Sequence, residues 1–221
     1  METVRKNVFV TNNENSKEII FALPFDETYV TDWNAFDFHM YSLQPENQAT
    51  YNFKATPWGG ACVIPQYIES FDPDDQRLKD DFISGPQYDK NGGVLYCTMG
   101  NMKGKPLDYV NKVDSIDDSD ENQGWRWGKF EYAEGITNRL SNDFPLLRYA
   151  DVYLMKAEAL LRTGHADEAA ELVTKVRERN FTEHPAKAIV TGEQLQETSC
   201  YDYGRRDNVK STHDQAVIQY G

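Results

Sequence analysis

The chain has 221 residues, and its 36 acidic residues against 23 Lys and Arg give a formal net charge of −13 at pH 7. A surface this acidic excludes tight electrostatic binding to nucleic acid or to anionic lipid, because both require clustered cations. An aromatic share of 13% is too high for a disordered acidic chain, so the sequence predicts a folded domain.

Neither the apolar runs nor the cysteines indicate a specialised class of protein. No run approaches the roughly 18 residues that a membrane-spanning helix needs, and residues 1–10 hold no secretory segment. Cys62, Cys97 and Cys200 are isolated and odd in number, which predicts unpaired thiols. We expect neither a structural zinc site nor any cofactor.

Residues 1–144 are predicted to be rich in loops, because they hold most of the glycines and prolines. The run KEIIFALPF at Lys17–Phe25 predicts a strand. Thr56–Gly60, with the sequence TPWGG, predicts a turn. Pro65–Phe71 is expected to form a short helix.

A second helix is predicted to start in the acidic sequence at Asp72–Asp75 and to continue over Gln76–Ile83. Asn91–Gly93 then predicts a hairpin turn that leads into Val94–Met99. The weak alternation of Trp125–Tyr132 indicates a further strand.

The clearest pattern is helical. Over Pro145–Thr163, apolar residues recur at a spacing of 3-4-3-4 and a second apolar stripe lies beside them, which predicts a helix buried on more than one side. Gly164 suits the left-handed cap, and a second helix is predicted over Ala166–Arg179. The short connection predicts an antiparallel αα-hairpin. One hairpin cannot bury both stripes, so further helices are expected to stack on it.

These residues resemble a known family. Ser141–Gly164, followed by Ala166–Arg179, looks like the C-terminal tetratricopeptide-type hairpin of the SusD/RagB family, whose members are glycan-binding outer-membrane lipoproteins of Bacteroidetes. Other stretches resemble the family in the expected order: Lys17–Asp26, Trp58–Gly60, Ser70–Arg77, Gly124–Phe130 and Leu195–Gly204. Family members begin with a lipoprotein signal and several helices and continue beyond the point matched by Gly221, so we expect an internal piece of a longer protein.

The resemblance implies a mainly α fold, namely a tetratricopeptide-like αα-hairpin superhelix of SusD type with long loops and a few short strands. Residues 1–221 would form one partial domain. Within it, we expect residues 1–144 to be the loop-rich, ligand-binding part, residues 145–180 to be the helical hairpin, and residues 181–221 to be an irregular and truncated C-terminal part.

Aromatic residues crowd the segment that follows the first predicted strand. Sugars present apolar faces, so a sugar-binding protein needs flat aromatic platforms with amides at the rim, and loops commonly carry them. The alternative is that the rings pack the core. The predicted ligand-binding residues are Tyr29, Trp33, Asn34, Tyr51 and Trp58.

Other patterns leave alternatives open. A glycosidase needs two carboxyls about 5–5.5 or 6.5–9.5 Å apart across a cleft. Five acids could supply them, although an acidic helix start is the simpler interpretation: Asp72, Asp74, Asp75, Asp80 and Asp81. In the acidic loop Asp114–Gln123, Asp118, Asp120 and Asn122 have the alternate spacing of calcium ligands in an EF-hand. Gly124 falls one place late for the EF-hand turn, however, and Lys129 stands where the bidentate Glu is required. A solvated loop is therefore expected. No catalytic motif includes the four histidines, which are interpreted as surface or loop residues.

The sequence thus predicts a protein that is not an enzyme. The resemblance implies capture of an oligosaccharide or polysaccharide at the cell surface, on the outer membrane. The glycan would then be taken up through a partner, a TonB-dependent transporter of SusC type. The alternative is a helical-hairpin protein-interaction module without sugar binding, and a glycoside hydrolase is the third hypothesis.

Overall fold

The computed structural model describes residues 1–30, 35–115, 118–199 and 201. The α-helices of this part are α1 (Phe38–Ser42), α2 (Gln48–Tyr51), α3 (Pro65–Glu69), α4 (Arg77–Asp80), α5 (Tyr149–Arg162) and α6 (Ala166–Arg177). The strands are β1 (Ile19–Leu23), β2 (Phe82–Ile83), β3 (Gly85–Pro86), β4 (Asp108–Tyr109), β5 (Arg126–Trp127) and β6 (Phe144–Arg148). The strands form three antiparallel pairs, β1 with β6, β2 with β5, and β3 with β4.

The first strand is confirmed, and its partner corrects the predicted start of the long helix. Residues 145–148 were predicted to be helical, but they belong to β6, where Arg148 pairs with Ile19 and Phe144 with Leu23. The helix begins at Tyr149, where the carboxylate of Asp151 accepts a hydrogen bond from the Arg148 backbone N–H at 2.8 Å. Pairing with β1, which is distant in sequence, therefore overrides the local helical pattern.

The predicted αα-hairpin is confirmed. Helices α5 and α6 pack against each other, and Gly164 between them has a φ of +86°, the left-handed conformation that a helix cap requires. Helix α6 ends at Arg177, two residues earlier than predicted, and continues as a 3-10 turn over Glu178–Asn180. Alanines such as Ala157 and Ala169 are fully buried, which lets the two helices approach closely.

The outer face of α5 remains exposed. Val152, Leu154 and Met155 are at least a third exposed, and Met155 is 54% exposed. The expected burial on more than one side, by stacking on further helices, is not found among the described residues. The apolar face of α5 is therefore wider than the part of it that α6 and β6 cover.

Aromatic packing holds the loop-rich part together. The buried ring of Phe36 makes edge contacts with Phe130 at 4.7 Å and with Phe144 at 5.5 Å between ring centroids. Phe9 and Phe53 belong to the same cluster. This part has few helices and strands, and rings contributed by loops and by β6 supply its buried apolar area.

His39 corrects the expectation that all four histidines lie at the surface or in loops. It lies in α1, has no exposed area, and places Nε2 3.2 Å from the carbonyl oxygen of Thr137. Burial lowers the pKa of His39 to about 4. The ring is thus a neutral part of the core.

Two of the short elements agree with the predictions made from the sequence, and one differs from them. Helix α3 occupies the first five residues of the predicted Pro65–Phe71 helix, and the Asn91–Gly93 turn is closed by the Asp89 N–H, which donates to the Gly93 carbonyl at 2.8 Å. The helix predicted to start at Asp72–Asp75 and to reach Ile83 is wrong at both ends. Helix α4 begins only at Arg77, after a turn, and Phe82 and Ile83 pair with β5. The fold is mainly α with short strands and long loops, as predicted.

Candidate functional site

The predicted ligand-binding residues do not come together as one cluster. Trp33 and Asn34 lie outside the described residues. Tyr29 is 85% exposed in a turn, where its N–H donates to the carboxylate of Asp26 at 3.0 Å. No ring contact joins Tyr29 to Tyr51 or Trp58 in the described part of the chain, so these three residues do not form one aromatic surface.

Tyr51 differs from the expectation, because it packs against the core. Its ring stacks on Phe53 at 4.9 Å and makes an edge contact with Tyr132 at 5.7 Å. Burial raises the pKa of the Tyr51 hydroxyl to about 12. A ring whose face already covers another ring cannot offer that face to a sugar, so we leave Tyr51 out of the site.

Trp58 forms an exposed aromatic pair with Tyr41, which was not among the predicted ligand-binding residues. The two ring centroids lie 4.8 Å apart at an interplanar angle of 78°. Each residue is 51% exposed, although both are large and largely apolar. The pair therefore presents two flat surfaces, nearly perpendicular to each other, to the solvent.

The turn that carries Trp58 is hydrogen-bonded to the end of α1. The N–H groups of Trp58 and Gly59 donate to the carbonyl of Met40, and the Ala61 N–H donates to the carbonyl of Tyr41 at 2.8 Å. Gly59 has a φ of +75°, and a Cβ there would lie 2.5 Å from the amide oxygen of Gln44. Only glycine fits this position without strain, so the TPWGG sequence fixes the place of the indole.

A buried polar network supports this turn from below. Gln44 is buried, and its side-chain amide donates to the backbone carbonyl of Glu121 at 3.1 Å. Its backbone N–H donates to the hydroxyl of Tyr109, which in turn donates to the side-chain oxygen of Asn47 at 2.5 Å. Because these buried groups are partnered, the network holds α1 and the turn in one arrangement.

Two more exposed rings extend the pair. Phe38 stands three residues before Tyr41 on α1, so the two side chains share a side of the helix. Phe38 makes an edge contact with Trp127 at 5.9 Å, and both are 42% exposed. The N–H of Trp127 donates to the buried hydroxyl of Ser42 at 2.8 Å, which fastens β5 to α1. We call Trp58, Tyr41, Phe38 and Trp127 the aromatic strip.

The side-chain amides near the aromatic strip already form hydrogen bonds within the protein. The Gln48 side chain donates to the Phe53 carbonyl at 3.1 Å and accepts from Thr56 Oγ1 at 2.7 Å. Asn52 donates to the carboxylate of Glu134 at 3.3 Å. These side chains shape the loop, and the exposed rings are the features left free to meet a ligand.

The order and content of these elements agree with a known family. The sequence model of the SusD family matches residues 17–194. The chain belongs to the SusD family. A search of curated proteins found no match to the chain.

Solved structures of the SusD superfamily share the fold. A SusD superfamily protein from Bacteroides vulgatus is 20% identical over 87% of this chain, with a TM-score of 0.54. NanU of B. fragilis is 16% identical over 97% of the chain, with a TM-score of 0.51. Surface glycan-binding protein A from Bacteroides thetaiotaomicron, solved in complex with laminarihexaose, is 15% identical over 97% of the chain, with a TM-score of 0.54. The chain spans 39%, 40% and 51% of these three proteins.

Two further observations concern membrane-spanning helices and metal sites. Within the described ranges, no helix is long and apolar enough to cross a membrane. The same part of the chain contains no group of three or more His, Cys, Asp or Glu side chains suited to a metal ion.

Proposed function

We propose that this SusD-family chain binds an oligosaccharide or polysaccharide without transforming it, and that Trp58 and Tyr41 form the platform. The observation that carries the proposal is the exposed pair of rings, held at 78° by a turn that is hydrogen-bonded to α1. The apolar faces of sugar rings stack on flat aromatic surfaces of this kind. Phe38 and Trp127 would extend contact to neighbouring sugar units, and Tyr29, Trp33 and Asn34 remain candidates for further contacts.

The arrangement of the carboxylates supports binding without catalysis. Asp75 is buried and paired with Arg77, and Asp81 is paired with Arg5. Asp72 and Asp74 share the ammonium of Lys187, while Asp80 accepts a hydrogen bond from Gln76. These acids hold loops together, so none of the five stands free opposite another across a cleft as a glycosidase requires.

The cellular role follows from family membership and belongs to the proposal. The glycan-bound protein would sit at the cell surface, on the outer membrane, and would pass its ligand to a TonB-dependent transporter of SusC type. Surface glycan-binding protein A, which shares the fold, was solved with laminarihexaose, and this supports a glycan as the ligand class.

A panel of neutral oligosaccharides that includes laminarihexaose tests the proposed function. The full chain and two variants, Trp58→Ala and Tyr96→Ala, would be run through gels containing each glycan. Tyr96 is a matched control, because it is 53% exposed but does not belong to the strip. We expect at least one glycan to retard the wild type and Tyr96→Ala, and Trp58→Ala to lose the effect. Equal retardation of all three proteins would contradict the assignment.

A protein-interaction module is the second candidate function, and the exposed apolar surface of helix α5 and of the β1–β6 pair favours it. Leu146, Val152 and Met155 are each at least a third exposed, and Phe21 of β1 is 58% exposed. Such a surface fits an apolar protein partner. If no glycan in the panel binds, this interpretation becomes the stronger one.

A further inference from the structure

A cleft of about 370 Å³ lies between the α3–α4 segment and the end of α6. Its lining residues include three aromatic residues, two arginines and two acids: Tyr67, Phe71, Phe181, Arg77, Arg177, Asp72 and Asp75. The volume falls within the range of about 300–1,000 Å³ that is usual for small-molecule sites. No residue of the aromatic strip lines it, so this is a separate place on the molecule.

The guanidinium group of Arg77 is held rigidly at one side of the cleft. It lies 4.9 Å from the centroid of the Phe71 ring, and it donates from Nε and Nη2 to the carboxylate of Asp75. The Asp75 side chain is buried, whereas the Arg77 side chain is 35% exposed. The Nη1 group of Arg77 makes no hydrogen bond with a described residue and stays available to a ligand.

Arg177, at the end of α6, is held in a similar way but without an acid. Its guanidinium lies 4.9 Å from the centroid of the Phe181 ring. It donates from Nε to the Ala188 carbonyl at 3.0 Å and from Nη2 to the Lys187 carbonyl at 2.9 Å. Within the described ranges no carboxylate lies within ion-pair distance of Arg177, and its Nη1 group is likewise uncommitted.

Arg177 is the arginine of the cleft that has no acid of its own. Asp75 pairs with Arg77, and Asp72 and Asp74 share the ammonium of Lys187, so with Arg177 three acids face three cations and the charges balance. Burial and the charge of Arg77 lower the pKa of Arg177, and the charges of Asp75 and Asp72 act in the opposite direction. A carboxylate is therefore favoured by the uncommitted donors of the two arginines and not by an excess of positive charge.

We propose that this cleft binds the carboxylate of an acidic saccharide, a sugar of the uronic acid class. Arg177 and Arg77 would donate charge-assisted hydrogen bonds from Nη1 to the carboxylate, the strongest type of hydrogen bond for such a group. Tyr67, which is 46% exposed, and Phe71 meet edge to face at 5.2 Å at the same cleft. These rings give the sugar an apolar surface, which a simple anion would not need.

Calorimetric titration of the full chain tests the site with three probes, trigalacturonate, the neutral trisaccharide maltotriose, and acetate. We expect binding of trigalacturonate, with little binding of the other two. Arg177→Gln should weaken it about tenfold or more, and higher salt should weaken it further. Arg177 also donates to two backbone carbonyls, so its replacement removes structural hydrogen bonds as well. Tyr67→Ala is therefore a second variant, at an exposed position, and it should also weaken the binding of trigalacturonate. Arg162→Gln is the matched control, since this exposed arginine of the same hairpin pairs with Glu158 away from the cleft.

Each other outcome overturns the proposal. Absence of trigalacturonate binding, or equal binding by wild type, Arg177→Gln and Tyr67→Ala, removes the site. If acetate binds as tightly as trigalacturonate, the cleft recognises a carboxylate alone, and the proposal of a saccharide ligand is wrong. The proposal is independent of the strip, so Trp58→Ala should still bind trigalacturonate, and loss of binding in that variant would place the acidic sugar at the strip. Neutral glycans that bind through Trp58 without any trigalacturonate binding would leave the proposed function standing alone.

Discussion

The guanidinium of Arg179 lies against the carboxylate of Glu18, which stands 161 residues earlier in the chain, with Nη2 donating to Oε1 at 3.0 Å. Arg148 approaches the same carboxylate at 3.4 Å. Glu18 has no exposed area. This buried group ties the start of β1 to β6 and to the 3-10 turn after α6, so it fastens the loop-rich part to the helical hairpin.

Replacement of Glu18 by Gln should lower the free energy of unfolding by about 3 kcal/mol at pH 7, because it leaves a buried arginine without its acid. Burial alone would raise the pKa of Glu18, but the hydrogen bonds from Arg179 and Glu2 and the charges of both arginines outweigh it, so the pKa is lowered. The contribution is therefore present above the unfolded value of about 4.3 and is lost as pH falls through the lower folded value.

Urea unfolding of wild type and Glu18→Gln at several pH values checks this prediction. The difference between the two proteins should shrink below about pH 4. Glu158→Gln is the control, because Glu158 forms an exposed i,i+4 pair with Arg162, and such pairs contribute little. A large, pH-independent loss in Glu18→Gln would indicate a packing defect instead of a lost ion pair.

His39 should make the protein less stable in mild acid. Its folded pKa of about 4 lies below the unfolded value of about 6.5, so the unfolded chain binds the proton first. Stability is complete above pH 6.5 and falls by up to about 3 kcal/mol as the pH drops towards 4. His39→Gln should remove this dependence between pH 6.5 and 4, as measured by thermal unfolding at fixed ionic strength. His165→Gln, at an exposed position, should keep it.

The hairpin could be predicted from sequence, whereas its junction with the sheet could not. The apolar spacing, the glycine at position 164 and the short connection are local features, and they define α5 and α6. The run Pro145–Arg148 is equally apolar, and only its pairing with Ile19–Leu23 makes it a strand. The same reason applies to Phe82 and Ile83, which pair with β5 instead of extending α4.

The candidate site was predicted in part. Trp58 could be singled out because it stands among turn residues, and it is exposed as expected. Tyr51 also has polar neighbours in the sequence, Thr50 and Asn52, yet long-range contact with Tyr132 draws it into the core. Tyr41 was missed as a partner of Trp58, because their contact depends on hydrogen bonds between the turn and the end of α1. The two glycines of TPWGG were the local feature that predicted a turn at this position.

Gly59→Ala should disturb the site more than an ordinary glycine substitution. A Cβ at this position would meet Gln44 at 2.5 Å, and the positive φ is itself strained for alanine. We expect a loss of stability of about 1–3 kcal/mol and weaker binding of any glycan that depends on Trp58. Gly135→Ala is the matched control, because its φ is +78° but no atom lies within 4 Å of the added Cβ. Similar effects of the two variants on glycan binding would contradict the proposed role of the turn.

Ala157→Leu should destabilise the hairpin by about 1–3 kcal/mol, because the extra side chain has to be accommodated at a position that is only 3% exposed. Ala159→Leu, in the same helix but at an exposed position, should have little effect. Denaturant unfolding followed by circular dichroism compares the two. Equal stability of both variants would show that α5 and α6 are packed less closely than the structure describes.

Nitrogen-15 NMR of the indole groups tests the central claim most directly. The chain has 4 tryptophans, so the indole N–H signals can be resolved, and the signal of Trp58 is the one that disappears in Trp58→Phe. Titration with a glycan that binds in the panel should shift the Trp58 signal in proportion to occupancy. A glycan that saturates the protein while the Trp58 signal stays in place would contradict the account, because the sugar would then bind away from the Tyr41–Trp58 pair.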